Sequence, residues 1–128
     1  MAIRYALDAS ALLCLLQAEH GHKQVDAALD ASVISSVNFS EVVAKLRDLG
    51  ASAEMVQAML DPLHLAIVDF TSAQARIAGN LRPATKSKGL SFGDLACLAT
   101  AIDLECAVLT ANRPWQDLDI GVEIALVR

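Results

Sequence analysis

Short apolar runs that stop at a polar residue, each followed by a segment of helical periodicity, recur along this chain and restrict it to a layered α/β architecture. Ile3 to Leu7 is apolar, tolerates a strand and ends at Asp8. Ala9 to Ala18 then reads as a helix opened by Asp8 or Ser10. Lys23 to Leu29 reads as a second short helix, and the β-branched run Val33 to Val37 as a strand. Asn38 or Ser40 can cap the next helix, whose Val42, Val43 and Leu46 recur at helical spacing until Gly50 stops them. Ser52 opens another helix carrying Met55, Val56, Met59 and Leu60, with Pro62 beyond its end. Leu65 to Val68, Ala107 to Leu109 and Val122 to Val127 read as strands. Ser72 to Leu81 and Asp94 to Leu104 read as helices. Arg82 to Leu90, with Pro83, Ser87 and Gly89, is the most loop-like and most basic stretch.

This alternation implies a central parallel sheet flanked by helices on both faces, folded as a single domain over residues 1–128. In such sheets sites collect at the carboxyl ends of the strands. Asp8 follows the first strand, Asn38 and Glu41 the second, and Thr110 and Asn112 the strand from Ala107 to Leu109.

Composition narrows the function. A net charge of −5 argues against gripping nucleic acid through a globally basic surface, though not against a local basic patch. It suits a chain that gathers carboxylates around a cation. The hydrophobic share is 55%, with mean hydropathy +0.44. Either a partner or second copy covers apolar surface, or an Ala-, Leu- and Val-rich helical core accounts for it. Cys14, Cys97 and Cys106 lie in apolar stretches without paired spacing, which reads as reduced thiols in a cytoplasmic protein. No apolar run is long enough to span a bilayer, and no signal peptide is expected.

Singly, Asp8, Glu41 and Asp94 each have a structural explanation. Asp8 can cap a helix, Glu41 can sit in a first turn favoured by the macrodipole, and Asp94 can form a capping box with Ser91. Jointly, three acids at three helix starts can converge, and such a cluster repels itself unless a cation neutralises it. Oxygen ligands of this kind suit magnesium or manganese.

Four phrases carry a family resemblance: Leu7-Asp8-Ala9-Ser10-Ala11-Leu12-Leu13, Ser40-Glu41-Val42, Leu90-Ser91-Phe92-Gly93-Asp94 and Leu109-Thr110-Ala111-Asn112-Arg113-Pro114-Trp115. Together, in this order and separation, they resemble VapC-type PIN domains, the toxins of VapBC toxin–antitoxin pairs. The resemblance implies a PIN-like three-layer sandwich and magnesium- or manganese-dependent cleavage of RNA phosphodiesters. It further implies a homodimer and inhibition by a cognate VapB-like antitoxin. Mapped onto this chain, it makes Asp8, Glu41, Asp94 and Asn112 the catalytic set. Asp8 and Asp94 are the main metal ligands, and Glu41 holds a water or acts as base. Thr110 and Ser91 support them. Asn112 departs from the family, which usually has aspartate there; an amide adds no negative charge, and Asp117 is the candidate substitute. Arg82, Lys86, Lys88 and Arg113 are candidate RNA contacts beside the plainer reading of solvated loops. His20, His22 and His64 read as surface or structural residues, and Trp115 as a core anchor.

Two other readings stand beside the nuclease. One is a PIN-like RNA-binding or interaction module with weak or no catalysis, motivated by Asn112. The other is an aspartate-nucleophile phosphohydrolase, which wants a second Asp two positions after the first, where this chain has Ser10.

Overall fold

The computed structural model describes residues 2–127; Met1 and Arg128, the ends of the expected 1–128 domain, lie outside them. Five strands form one sheet: β1 (Tyr5–Leu7), β2 (Ser32–Ser35), β3 (Ala66–Val68), β4 (Ala107–Thr110) and β5 (Ile124–Leu126). Their order is β3-β2-β1-β4-β5, and every pairing is parallel. β1 is central, and β2 and β4 flank it.

The register explains the layers. Leu7 lies beside Ile34 and Leu109, and these side chains face α1 (Ala9–Leu16), α2 (His22–Ala28), α3 (Ser36–Asp48) and α4 (Ala53–Leu60). Ala6 lies beside Val33 and Val108, which face the other way, onto Cys97, Leu98 and Ala101 of α7 (Phe92–Leu104). α5 (Ser72–Asn80) packs Ala78 against Leu95 and Ala99 on the same side. The strand period of two thus sorts one residue to each layer. Burying each large side chain stabilises the fold by about 1.5–3 kcal/mol. Trp115 is buried against the α7 layer, as its reading as a core anchor requires.

Two local expectations are corrected. The run from Val33 to Val37 is not all strand: β2 ends at Ser35, whose side chain caps α3 by accepting from Val37 N at 3.2 Å. Asn38 is therefore a buried helical residue rather than a cap, and Glu41 sits past the first turn. Arg82 to Leu90 is not wholly loop. Arg82–Thr85 forms a short helix, α6, and Lys86–Lys88 a 3-10 turn. Pro83 starts that helix rather than breaking it, because the first helical turn needs no N–H.

Candidate active site

Asp8 is the first residue after β1 and the N-cap of α1, which fixes its carboxyl group at the carboxyl edge of the sheet. It is 3% exposed. Oδ1 accepts from the Ser10 hydroxyl at 2.7 Å and from Ala11 N at 2.9 Å. Oδ2 accepts from the Thr110 hydroxyl at 2.6 Å and from Asn112 Nδ2 at 3.2 Å. The two hydroxyls act as relays. Ser10 Oγ accepts from Ala111 N at 3.0 Å, and Thr110 Oγ1 from Asn112 N at 3.0 Å. The chain leaving β4 is thereby tied to Asp8. Burial raises the Asp8 pKa above the ordinary carboxylate value. Hydrogen bonds from Thr110, Ser10 and Ala11 oppose the rise, and the charge of Asp94 adds to it. No positively charged group is among these causes.

Asp94 is the third residue of α7. Its Oδ2 accepts from Ser91 N at 2.9 Å, while Ser91 Oγ accepts from Asp94 N at 3.1 Å, the reciprocal capping box that the spacing predicts. Glu41 is exposed on α3, and its Oε1 accepts from Asn38 Nδ2 at 2.9 Å. The same amide donates to Gly93 O at 2.9 Å, tying α3 to the start of α7. The Glu41 carboxyl group lies so close over Gly93 that a methyl group there would overlap it. Glu41 therefore stands beside Asp94. One turn further along α7, the buried Cys97 thiol is pushed well above its ordinary pKa, first by burial. The negative charges of Asp8, Asp94, Cys106 and Glu41 contribute in that order. The Cys97 thiol donates to Ala6 O at 3.9 Å, which ties this part of α7 to β1 two residues before Asp8.

Asn112 is half-buried beside Asp8. Asp117 is exposed at the end of the 3-10 turn Arg113–Asp117 and is not among the charges acting on Asp8 or Cys97. Arg82, Lys86 and Lys88 are exposed on the segment leading into the Ser91 cap, and Arg113 is exposed next to Asn112. His22 sets Nδ1 against Glu19 O at 2.9 Å; His20 and His64 are exposed. A cavity of about 620 Å³ opens at the opposite edge of the sheet, among Arg4, Tyr5, Cys106 and Glu123, and contains none of the three acids. Two residues have roles other than the caps their positions suggest: Ser10 donates to Asp8, and Asn38, already placed after the second strand, donates to Glu41.

Among the described residues, no three acidic, histidine or cysteine groups form a ready-made metal cage. Magnesium does not need one, since it uses one or two carboxylates and keeps several waters. Zinc would call for histidine or cysteine, which this edge offers only as the buried, protonated Cys97. Asp8, Asp94 and Glu41, an all-oxygen anionic set with no cation among the partners of Asp8, therefore fit magnesium or manganese.

A parallel sheet with carboxylates gathered at its carboxyl edge defines a class of α/β proteins with an acidic site. Residues 5–121 match the PIN domain family model, and the chain belongs to the PIN domain family. Among solved structures, the chain is similar to one in DNA-bound VapBC from Salmonella typhimurium, with TM-score 0.81 and 18% identity over 98% of this chain and 99% of that one. It is similar to a chain in VapBC2 from Rickettsia felis bound to a promoter DNA fragment, with TM-score 0.77 and 19% identity over 96% and 98%. A toxin–antitoxin complex from Klebsiella pneumoniae gives TM-score 0.73 and 22% identity over 97% and 98%. No curated protein matches.

Proposed function

We propose that this chain is a magnesium- or manganese-dependent endoribonuclease, the VapC-like toxin of a pair silenced by a cognate VapB-like antitoxin. PIN domains are nucleases, and the family assignment supports hydrolysis of a phosphodiester. The observation that carries the reading is the convergence of Asp8, Asp94 and Glu41 at one edge of the sheet, with Glu41 held over Gly93.

Asp8 and Asp94 would hold the cation. A bound divalent ion supplies Lewis acidity and offsets charge developing on phosphoryl oxygens. Ser10, Thr110 and Asn112 orient the Asp8 carboxyl group and keep it from turning. Glu41, exposed on the solvent side, orients an attacking water and accepts its proton. Arg82, Lys86, Lys88 and Arg113 sit close in sequence to Ser91 and Asn112 and would contact RNA phosphates. Exposed Ile3, Leu49, Met55, Ile67 and Phe92 support burial against a second copy or an antitoxin helix. No helix among the described residues is long and apolar enough to cross a membrane, and a cytoplasmic place follows from the toxin reading.

The test is cleavage of defined RNAs with magnesium or manganese, with chelator, and by Asp8→Asn. Metal-dependent cleavage lost in the variant is expected; cleavage that survives both chelator and substitution overturns the reading. A second reading, a PIN module that binds without cutting, draws on Asn112 occupying Asp8 Oδ2. RNA binding without cleavage at any metal concentration would establish it.

A further inference from the structure

We infer that Asn38 is a positioning residue that sets the Glu41 carboxyl group for the reaction, with Gly93 as the clearance that lets it lie there. The inference rests on the nuclease reading of the site. Asn38 is 1% exposed, and both of its hydrogen bonds use one nitrogen, to Glu41 Oε1 at 2.9 Å and to Gly93 O at 2.9 Å. The two acceptors fix the amide: turned over, its oxygen would face a carboxylate and a carbonyl. In the orientation adopted, Oδ1 is buried without a hydrogen-bond partner among the described residues. An unpartnered carbonyl is unfavourable, so a helix tie alone would be better served by a side chain with nothing left over. Asparagine supplies what aspartate, serine and leucine cannot at this position: two donors on one atom and no charge. One donor crosses to α7 and the other turns to Glu41. Against the Glu41 carboxyl group, Gly93 leaves room that any side chain would fill. Glu41 is itself exposed, and without these two restraints its flexible stem would sample many rotamers.

The experiment compares manganese affinity, read by the spin-resonance signal of free Mn²⁺, with the kcat and KM for RNA cleavage. The proteins are wild type, Asn38→Ala, Gly93→Ala, Glu41→Ala and the two double variants that carry Glu41→Ala. The atoms nearest a methyl group at Gly93 are the carboxyl end of Glu41, a flexible side chain, so Gly93→Ala is expected to fold even if Asn38→Ala does not. Asn38→Ala and Gly93→Ala are each expected to lower kcat about tenfold, the scale of losing an outer-shell partner, with KM and manganese affinity unchanged because Asp8 and Asp94 hold the ion. In the Glu41→Ala background neither substitution should have a further effect. Equal losses with and without Glu41, or a lower melting temperature with affinity and kcat intact, would reduce Asn38 to a helix tie and overturn the proposal. A wild-type chain that neither binds manganese nor cuts RNA overturns the parent reading and this one with it, a result distinct from either of those.

Discussion

Asn112 donates through Nδ2 to Asp8 Oδ2 at 3.2 Å, next to the 2.6 Å bond from Thr110 to the same oxygen. In this chain the position therefore supports the buried carboxylate instead of repelling it. Asn112→Asp exchanges a donor for a second carboxylate at the same place. Without metal the variant should be less stable near neutral pH by about 1–3 kcal/mol, the scale for spoiling a buried polar contact. Manganese should restore that loss, because it binds the folded state, and should bind the variant more tightly than the parent. Calorimetry with and without manganese measures both. Unchanged apo stability together with unchanged affinity would show that position 112 does not act on the Asp8 site.

Thr110 is completely buried and links the backbone after β4 to Asp8. Thr110→Val keeps the shape and removes the hydroxyl's hydrogen bonds with Asp8, Asn112 N and Ser10. A loss of about 1–3 kcal/mol is expected in denaturant titrations, the scale for leaving a buried polar group without its partner. The same change should weaken manganese binding by loosening Asp8. A neutral substitution would mean that these bonds do not hold the Asp8 carboxyl group in place.

The raised pKa of Asp8 has a definite sign. The folded chain holds this proton more tightly than the unfolded chain, so its contribution to stability is fully present below the ordinary aspartate value of about 3.9. That contribution is lost as pH rises through the folded pKa. Asp8→Asn carries no such penalty, so without metal it should gain stability relative to wild type as pH goes from about 4 to 7. Chemical denaturation at several pH values gives the difference. A gap that narrows toward neutral pH contradicts the burial-driven shift.

Asp94→Asn should separate folding from chemistry. An asparagine oxygen still accepts from Ser91 N, so the capping box and the start of α7 survive. Metal binding should fall sharply and cleavage nearly vanish, with a melting temperature close to wild type in chelator. A variant that melts early would make Asp94 a structural cap first.

The legible parts of this fold were those set by local chemistry. Leu7, Ile34 and Leu109 end apolar runs, and Ser91 and Asp94 have capping-box spacing; both features survive in the structure. Val37 and Asn38 misled because β-branched residues continue past Ser35, while the helix start is decided by the Ser35 side chain and by Asn38 reaching Gly93. The latter contact spans 55 positions and leaves no periodicity. Ser10 was weighed as a cap or a missing second acid. Its bonds to Asp8 and Ala111 appear only when β4 is placed beside β1.

That neighbouring of β1 and β4 has a consequence for biosynthesis. Half of the donors that hold Asp8, those of Thr110 and Asn112, lie more than 100 positions later in the chain. β1 cannot be flanked on both sides until β4 has been made. A nascent chain stalled before residue 107 carries Asp8, Glu41 and Asp94 but lacks the strand that completes their edge of the sheet. The acidic edge is thus complete only once the chain through Asn112 has been made and β4 has paired with β1.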